Sequence, residues 1–351
     1  MAHEELKVIA LISGGKDSVF SILHCLANGH AVVALANLHP DTNARDEDID
    51  SQMYQTVGHS TVPLFEQALG LPLYRHTIHG SAVNTAKEYA PPPLNFNSDQ
   101  DEAESMLTLL ENVKKQHPQA NAVCTGAILS DYQRTRVESV AVRLELTSLS
   151  YLWQYPFLPP YSSTSLLEDM FAVGQDARLI KLASLGLDER FLGQNVANPT
   201  VFQKMQVAMS RFEQKLKPGT LIGEGGEFET LAVDGPAPLW KKRIEVNYAD
   251  PVGDGSVAYA RVSKASIVDK SEQPLNPSLA PRLPDAPDRE IEATRLAMTQ
   301  SSAETYVRSP SCVSTSSWTL PEVVRGTLIP PRDYVVPPQD DEIASILSLL
   351  E

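Results

Sequence analysis

Apolar runs and helical periodicities alternate through the first half of the chain. Val8–Ile12 reads as a buried strand. Val19, Phe20, Ile22, Leu23 and Leu26 then recur at helical spacing, with Asn28-Gly29 as the stop. Ala31–Leu38 and Leu73–Ile78 read as further strands, and Asp101–Glu111 as a helix with acids in its first turn. Ala122–Ile128 has the texture of a central strand, Tyr132–Leu146 of the helix after it, and Leu149–Trp153 of a fifth strand. Strand and helix in alternation predict an α/β fold built on a parallel sheet of about five strands with flanking helices. In such open sheets ligands bind beyond the carboxyl ends of the strands. Ser13, Asn37 and Gly126, each at or near such an end, are therefore expected to converge on one crevice.

The pattern changes at Pro156, Pro159 and Pro160. A less regular α+β region follows, with a helix expected over Val201–Leu216 and strand-like runs on either side of a glycine-rich acidic loop. From Lys270 onward the chain carries a disproportionate share of its 26 prolines among Ser and Asp, the composition of a largely disordered linker. The expected organisation is 1–155 as a ligand-binding domain, 156–264 as a smaller α+β domain and 265–351 as a Pro-rich tail. The last residues, Asp341–Glu351, have the spacing of a short amphipathic helix.

The densest chemistry lies between the first strand and the first helix, in Ser13-Gly14-Gly15-Lys16-Asp17-Ser18. A strand, a glycine turn and a helix start together form an anion site. The first-turn N–H groups lack helical partners, and the helix dipole favours negative charge there. The glycines permit close approach, Lys16 adds a full positive charge, and Ser13 and Ser18 supply hydroxyls. The spacing is neither a Walker A loop nor GxGxxG. An ordinary capped turn with Asp17 or Ser18 as N-cap accounts for the polar residues but not for Gly-Gly-Lys beside them.

Two further constellations stand out. In Thr125–Glu138, the residues Asp131, Arg134, Arg136 and Glu138 crowd the start of a helix, where arginines oppose the dipole. Two readings stand side by side: a bidentate grip on phosphate or carboxylate, or a solvated face with Arg134 and Glu138 paired at i,i+4. In Gly223-Glu224-Gly225-Gly226-Glu227-Phe228-Glu229-Thr230, glycines can bring N–H groups to a ligand. Carboxylates at such a place can hold a cationic substrate, an ammonium ion or a metal; a glycine-rich hairpin is the plain alternative. His59 is a weaker substrate contact, since a lone histidine is more often structural. The acidic run Asp46–Asp50 lacks the glycine and closing glutamate of a calcium loop and reads as solvated.

Composition narrows the classes. A net charge of −15 argues against extended nucleic-acid binding, which depends on neutralising phosphates with Lys and Arg. No stretch approaches the roughly 18 apolar residues of a membrane span, and the N-terminus lacks a secretory pattern. Cys25, Cys124 and Cys312 form no CxxC pair, so neither a disulfide framework nor a zinc site is indicated. The expectation is a cytoplasmic protein without membrane or direct nucleic-acid contact.

The loop Ser13–Ser18 resembles the PP-loop of the ATP pyrophosphatases. Together with Asp50–Ser60, Asp101–Ser105, Gly126–Val140, Tyr151–Trp153 and Glu224–Leu231, it makes the chain similar to the diphthine–ammonia ligase family over roughly residues 6 to 265. The resemblance implies a Rossmann-like, PP-loop/HUP-type sheet. It implies ATP-dependent amidation of diphthine on elongation factor 2 through an acyl-adenylate, with ammonium as nitrogen donor, AMP and pyrophosphate as products, and Mg²⁺ as cofactor. Under it Ser13, Gly14, Gly15, Lys16 and Ser18 cradle pyrophosphate, and Asp17 caps the helix and touches the metal. Gly126 borders the nucleotide, and Arg134 or Arg136 holds phosphate or the substrate carboxylate. Glu224, Glu227 and Glu229 face the trimethylammonium of diphthine.

No glutaminase signature accompanies the loop, and Ser309–Thr319 is at most similar to the beginning of the C-terminal extension many eukaryotic relatives carry. Two other readings remain at this level. A PP-loop ligase or thiolase acting on tRNA fits the loop but not the acidic charge or the cysteine spacing. A non-catalytic adenine-nucleotide module has no need of Lys16 and Asp17 in a pyrophosphate-shaped turn.

Overall fold

The computed structural model describes residues 5–41, 53, 57–86, 89, 101–156, 164–212, 219–237, 239–253 and 257–270. The first region is a five-stranded parallel sheet of β1 (Lys7–Leu11), β2 (Ala31–His39), β3 (Leu73–Thr77), β4 (Ala122–Cys124) and β5 (Thr147–Leu149). Its helices are α1 (Lys16–Ala27), α2 (Phe65–Leu69), α3 (Glu104–Gln116) and α4 (Asp131–Arg143). The strand order β3-β2-β1-β4-β5 reverses direction between β1 and β4, the Rossmann-like arrangement expected from the alternation. β1 is central and fully covered on both faces, with Val8, Ile9 and Ala10 inaccessible, which is why it reads as an unbroken apolar run.

Two strand boundaries differ from the sequence expectation. β4 ends at Cys124 rather than Ile128, because the chain turns at Gly126 across the first turn of α1. The fifth strand is Thr147–Leu149, not Leu149–Trp153. Leu149 pairs with the last residue of β4, so no neighbouring strand remains for the residues beyond it. Tyr151–Tyr155 instead coil into turns, with the Trp153 amide bonded to the Ser150 carbonyl and that of Tyr155 to Leu152. Tyr151, Leu152 and Trp153 are buried by packing, and apolar periodicity alone does not separate that from strand pairing.

The second region contains α5 (Ser165–Ala172), β6 (Asp176–Leu182), α6 (Pro199–Met209), β7 (Phe228–Asp234), β8 (Lys242–Tyr248), β9 (Val252–Gly253), β10 (Ala258–Tyr259) and β11 (Val262–Asp269). It forms an antiparallel sheet ordered β7-β6-β10-β9 and a β11-β8 ribbon. Asn198 caps α6 from three residues before the expected start at Val201, its side chain accepting from the amides of Thr200 and Val201. β11 runs across the boundary expected at residue 264, and Lys270 still pairs with Asp234 of β7, so the described structure of this region continues to 270.

One apolar cluster joins the regions, from Val8 and Phe20 to Leu179, Leu231 and Trp240. Trp240 is buried against Phe65 of α2, ring centroids 5.7 Å apart, and the Lys241 amide bonds to the Ala68 carbonyl. The two sheets are thus fixed to each other beside the ends of β1 and β4. No helix among the described residues is long and apolar enough to cross a membrane. The acidic run Asp46–Asp50, residues 213–216 of the expected helix, the Pro-rich stretch 271–351 with Ser309–Thr319, and the amphipathic 341–351 lie outside the described residues.

Candidate functional site

A cavity of about 370 Å³ opens at the carboxyl ends of β1 and β4, within the roughly 300–1,000 Å³ range of small-molecule sites. One wall is Ser13, Gly15, Lys16, Asp17 and Ser18; a second is apolar, with Leu38, Met53, Met106, Ala127 and Val137; a third comes from Gly223, Glu224, Gly226, Phe228, Glu229 and Thr230. The site therefore joins the strand-end crevice of the first region to the acidic loop of the second.

The loop after β1 is pinned before any ligand arrives. Gly14 sits at φ +89°, a conformation other residues rarely adopt, and a Cβ there would lie 3.3 Å from Val62 Cγ2. Its carbonyl accepts from the Ala232 amide of β7 at 2.8 Å, so Gly14 faces the second region rather than the cavity. The Ser13 hydroxyl accepts from the Gly15 amide, and the Ser18 hydroxyl accepts from the Ser13 amide while donating to the Gly15 carbonyl. The serines thus brace the turn as well as lining the cavity.

Lys16 is nearly inaccessible at 3% exposure, yet its ammonium has two carboxylate partners: Asp17 Oδ2 at 2.7 Å and Glu224 Oε1 at 3.7 Å. Burial disfavours its charge, but the two acids outweigh that and raise its pKa above the ordinary lysine value. Burial pushes the Asp17 carboxyl up, against the pull of Lys16. Glu224 is pushed up to about 8 by burial and then by repulsion from Asp17, with Lys16 again opposing. Asp17 Oδ1 is buried without a hydrogen-bond partner. That oxygen fits a Mg²⁺ ion, which is commonly held by one or two carboxylates together with substrate phosphates. No cluster of three metal-binding side chains exists among the described residues, so phosphate oxygens and water would have to complete such a shell.

Gly126 lines the cavity for a different reason from the one its position suggested. A Cβ there would lie 2.5 Å from the Ser18 amide nitrogen and 2.6 Å from the Asp17 carbonyl carbon. Its missing side chain makes room for the first turn of α1, and so for the loop itself.

Several expected site residues lie elsewhere. Asn37 is a buried tie: its Nδ2 donates to the Ile12 carbonyl at 2.8 Å and its Oδ1 accepts from Arg75 Nε at 2.9 Å, joining β3 and β2 to the end of β1. Arg136 is fully buried and outside the cavity. It lies 3.4 Å from the Tyr132 ring centre and 4.8 Å from that of Tyr89, and it donates to the carbonyls of Asn84, Ala86 and Tyr132. Arg134 stacks on Trp153 at 4.4 Å and pairs with Glu138 at 3.3 Å. The i,i+4 pairing of Arg134 with Glu138 is the one that the second sequence reading held, but the face is buried rather than solvated, with aromatic rings and carbonyls offsetting the dipole. Asp131 opens α4 behind Ser130, whose hydroxyl caps the helix. The His59 carbonyl accepts from Arg75. The Glu227 carboxylate folds back onto the Gly225 amide at 2.8 Å, and neither residue lines the cavity. Glu229 does line it and pairs with Lys181 at 3.2 Å.

Thr125 and Gln133 lie inside the Thr125–Glu138 constellation but had no role assigned from the sequence, and Met53, Met106 and Gln175 were not singled out. Met53 lies within one resembling stretch and Met106 directly follows another, which is the only signal they carried. Gln175 sits in an ordinary inter-element turn and carried none.

Comparison with known proteins bears on the same segments. The family model described as diphthamide synthase N-terminal domain matches residues 6–91, and that described as diphthamide synthase C-terminal domain matches 162–268. A Danio rerio protein named diphthine–ammonia ligase is 42% identical over 273 residues, covering 76% of this chain and 98% of its own. The chain belongs to the diphthine–ammonia ligase family. Within that family, a Homo sapiens relative of the same name is 41% identical over 74% of this chain and 89% of its own. A Schizosaccharomyces pombe diphthine–ammonia ligase is 46% identical over 77% of this chain, and the match spans 41% of that longer relative. The N-terminal family match contains the Lys16 loop and the C-terminal one the Glu224–Thr230 loop, the two walls that the fold brings together.

Proposed function

We propose that this member of the diphthine–ammonia ligase family amidates the carboxylate of a diphthine side chain on elongation factor 2, using ATP as activator and ammonium as nitrogen source. The observation that carries the reading is the single cavity in which Lys16 and Asp17 of the phosphate-type loop face Glu224 and Glu229 of the acidic loop. A carboxylate does not react with ammonia unaided. Attack of its oxygen on the α-phosphorus of ATP would release pyrophosphate and give an acyl-adenylate. Ammonia would then attack the acyl carbon, the bond to AMP would break, and the nitrogen would lose a proton.

In this reading Lys16, nearly inaccessible and held charged by its two acids, meets the charge that develops on the departing pyrophosphate. Ser13, Gly15 and Ser18 keep the loop in shape beneath it. The apolar wall around Met53, Met106 and Val137 suits an adenine ring. Asp17, with Oδ1 unpartnered, would hold Mg²⁺ against the phosphates, and the ion would supply charge neutralisation there. Glu224 and Glu229 line the opposite wall, where carboxyl groups suit the trimethylammonium of diphthine or an incoming ammonium ion, Glu224 giving up its proton as such a cation offsets the burial that raises its pKa. The buried free thiols Cys25 and Cys124 suit the reducing cytoplasm, where the substrate protein also works. They sit in the core rather than in the cavity, which counts against sulfur transfer.

The test mixes purified protein with ATP, Mg²⁺, ammonium and elongation factor 2 carrying diphthine, then measures AMP and the mass of the modified histidine. AMP release together with the mass change of a carboxyl OH becoming NH₂ is the expected result. AMP without that mass change, or no AMP at all, rejects the reading.

A further inference from the structure

The backbone of Lys16 is held on both sides by the second region. Its amide donates to Thr230 Oγ1 at 3.1 Å, across 214 positions of sequence. Its carbonyl accepts from Gln175 Nε2 at 2.8 Å, across 159 positions. Both partners are buried, Thr230 at 4% and Gln175 at 1% exposure, so neither bond competes freely with water. Gln175 is itself fixed: its amide donates to the Met170 carbonyl and its own carbonyl accepts from Asn195 Nδ2. Thr230 is in β7, in register with Leu179 of β6 and directly after Glu229 of the cavity wall.

A lysine at the first position of a helix ordinarily has a free amide, since no preceding turn supplies an acceptor. Here that amide is satisfied by a neutral hydroxyl, while the carbonyl gains a side-chain donor besides its helical role. Fixing both groups fixes the Cα–Cβ direction. It thereby sets the stem from which the ammonium reaches Asp17 and Glu224.

We propose that Gln175 and Thr230 are positioning residues for the phosphate-cleavage step, acting through Lys16 by clamping its carbonyl and amide from the second region. The clamp rests on the reading that this cavity cleaves ATP. It adds that the first region alone does not present Lys16 correctly, and that the acidic-loop strand contributes to ATP chemistry through a hydroxyl as well as through its carboxylates.

The experiment compares wild type with Thr230→Val, Thr230→Ser and Gln175→Met in the full chain. It reads kcat and KM for ATP in AMP formation, the unfolding midpoint, and hydrogen exchange of the Lys16 amide. Loss of one buried, well-aligned hydrogen bond should lower kcat by about tenfold in Thr230→Val and in Gln175→Met, with KM for ATP changed less than about threefold. Thr230→Ser, which keeps the acceptor, should stay within about twofold of wild type, and the Lys16 amide should exchange about tenfold faster in Thr230→Val while the Val123 amide of β4 does not change. Unaltered kcat in either Val or Met variant, equal damage in Thr230→Ser, or unaltered exchange at Lys16 overturns the proposal. So does a joint fall of kcat, ATP affinity and unfolding midpoint, which would make the pair ordinary interdomain packing. If wild type itself releases no AMP, the functional reading falls and the exchange measurement alone decides the clamp.

Discussion

Lys16 and Glu224 come from the two regions of the chain and meet with Nζ 3.7 Å from Oε1, both lining the same cavity. Asp17 lies on the other side of the ammonium at 2.7 Å. One cation is thus shared by two acids in a buried setting, and burial keeps a proton on Glu224 up to about pH 8, which limits the charge the cluster carries.

Replacing Lys16 by Ala removes the only full positive charge in the loop. AMP formation should fall by at least about a hundredfold, in line with the loss of one preorganised charge donor at a reacting centre. Stopped assays of AMP release measure it. An active Lys16→Ala enzyme would take the loop out of the chemistry.

Glu224 links stability to pH. Its native pKa is raised to about 8, so between the ordinary carboxyl value of 4.5 and 8 the folded protein binds a proton that the unfolded chain has lost. Stability from this group is complete below about 4.5 and drains away as pH rises, by at most about 1.4 kcal/mol per pH unit. Glu224→Gln removes the dependence. In nucleotide-free and metal-free buffer the two unfolding midpoints should nearly coincide at acid pH, and the variant should lead by several °C above pH 8. A midpoint difference that stays constant across that range refutes the assignment.

A methyl group at Gly126 has nowhere to go, since the backbone of Asp17 and Ser18 occupies the space at 2.5–2.8 Å. Gly126→Ala should cost about 1–3 kcal/mol of stability, the ordinary scale for overpacking. Because the strain falls on the start of α1, AMP formation should drop more than the unfolding midpoint implies. Retention of full activity would show that the loop tolerates displacement.

Arg136 makes a different prediction from the one its charge invites. Arg136→Leu should destabilise by about 2–4 kcal/mol, because the carbonyls of Asn84 and Ala86 lose their buried donor. KM for ATP should change less than about twofold in protein kept folded at low temperature. A large rise in KM at unchanged stability would return Arg136 to the ligand.

The alternation of elements, the strand-end placement of Ser13 and Gly126 and the phosphate-type loop were all legible locally, because each depends on residues within a few turns of one another. The fates of Arg134 and Arg136 were not. A charged helix face reads the same whether it meets water, a phosphate or an aromatic ring, and the deciding partners, Trp153, Tyr89 and the Asn84 carbonyl, lie 19 or more positions away. Asn37 was placed at the correct end of the sheet, but its neighbours turned its side chain into a brace.

By itself the sequence determined the α/β class, the loop Ser13–Ser18 and the existence of an acidic glycine loop, through periodicity and short-range backbone chemistry. Tertiary structure decided that these two loops share one cavity and that Lys16 is charged between Asp17 and Glu224. It also decided that Thr230 and Gln175 hold the lysine's backbone. The two backbone ties span 214 and 159 positions, over which sequence spacing carries no distance information. They arise because burying one apolar core, from Phe20 to Leu231 and Trp240, forces the ends of β1 and β7 together.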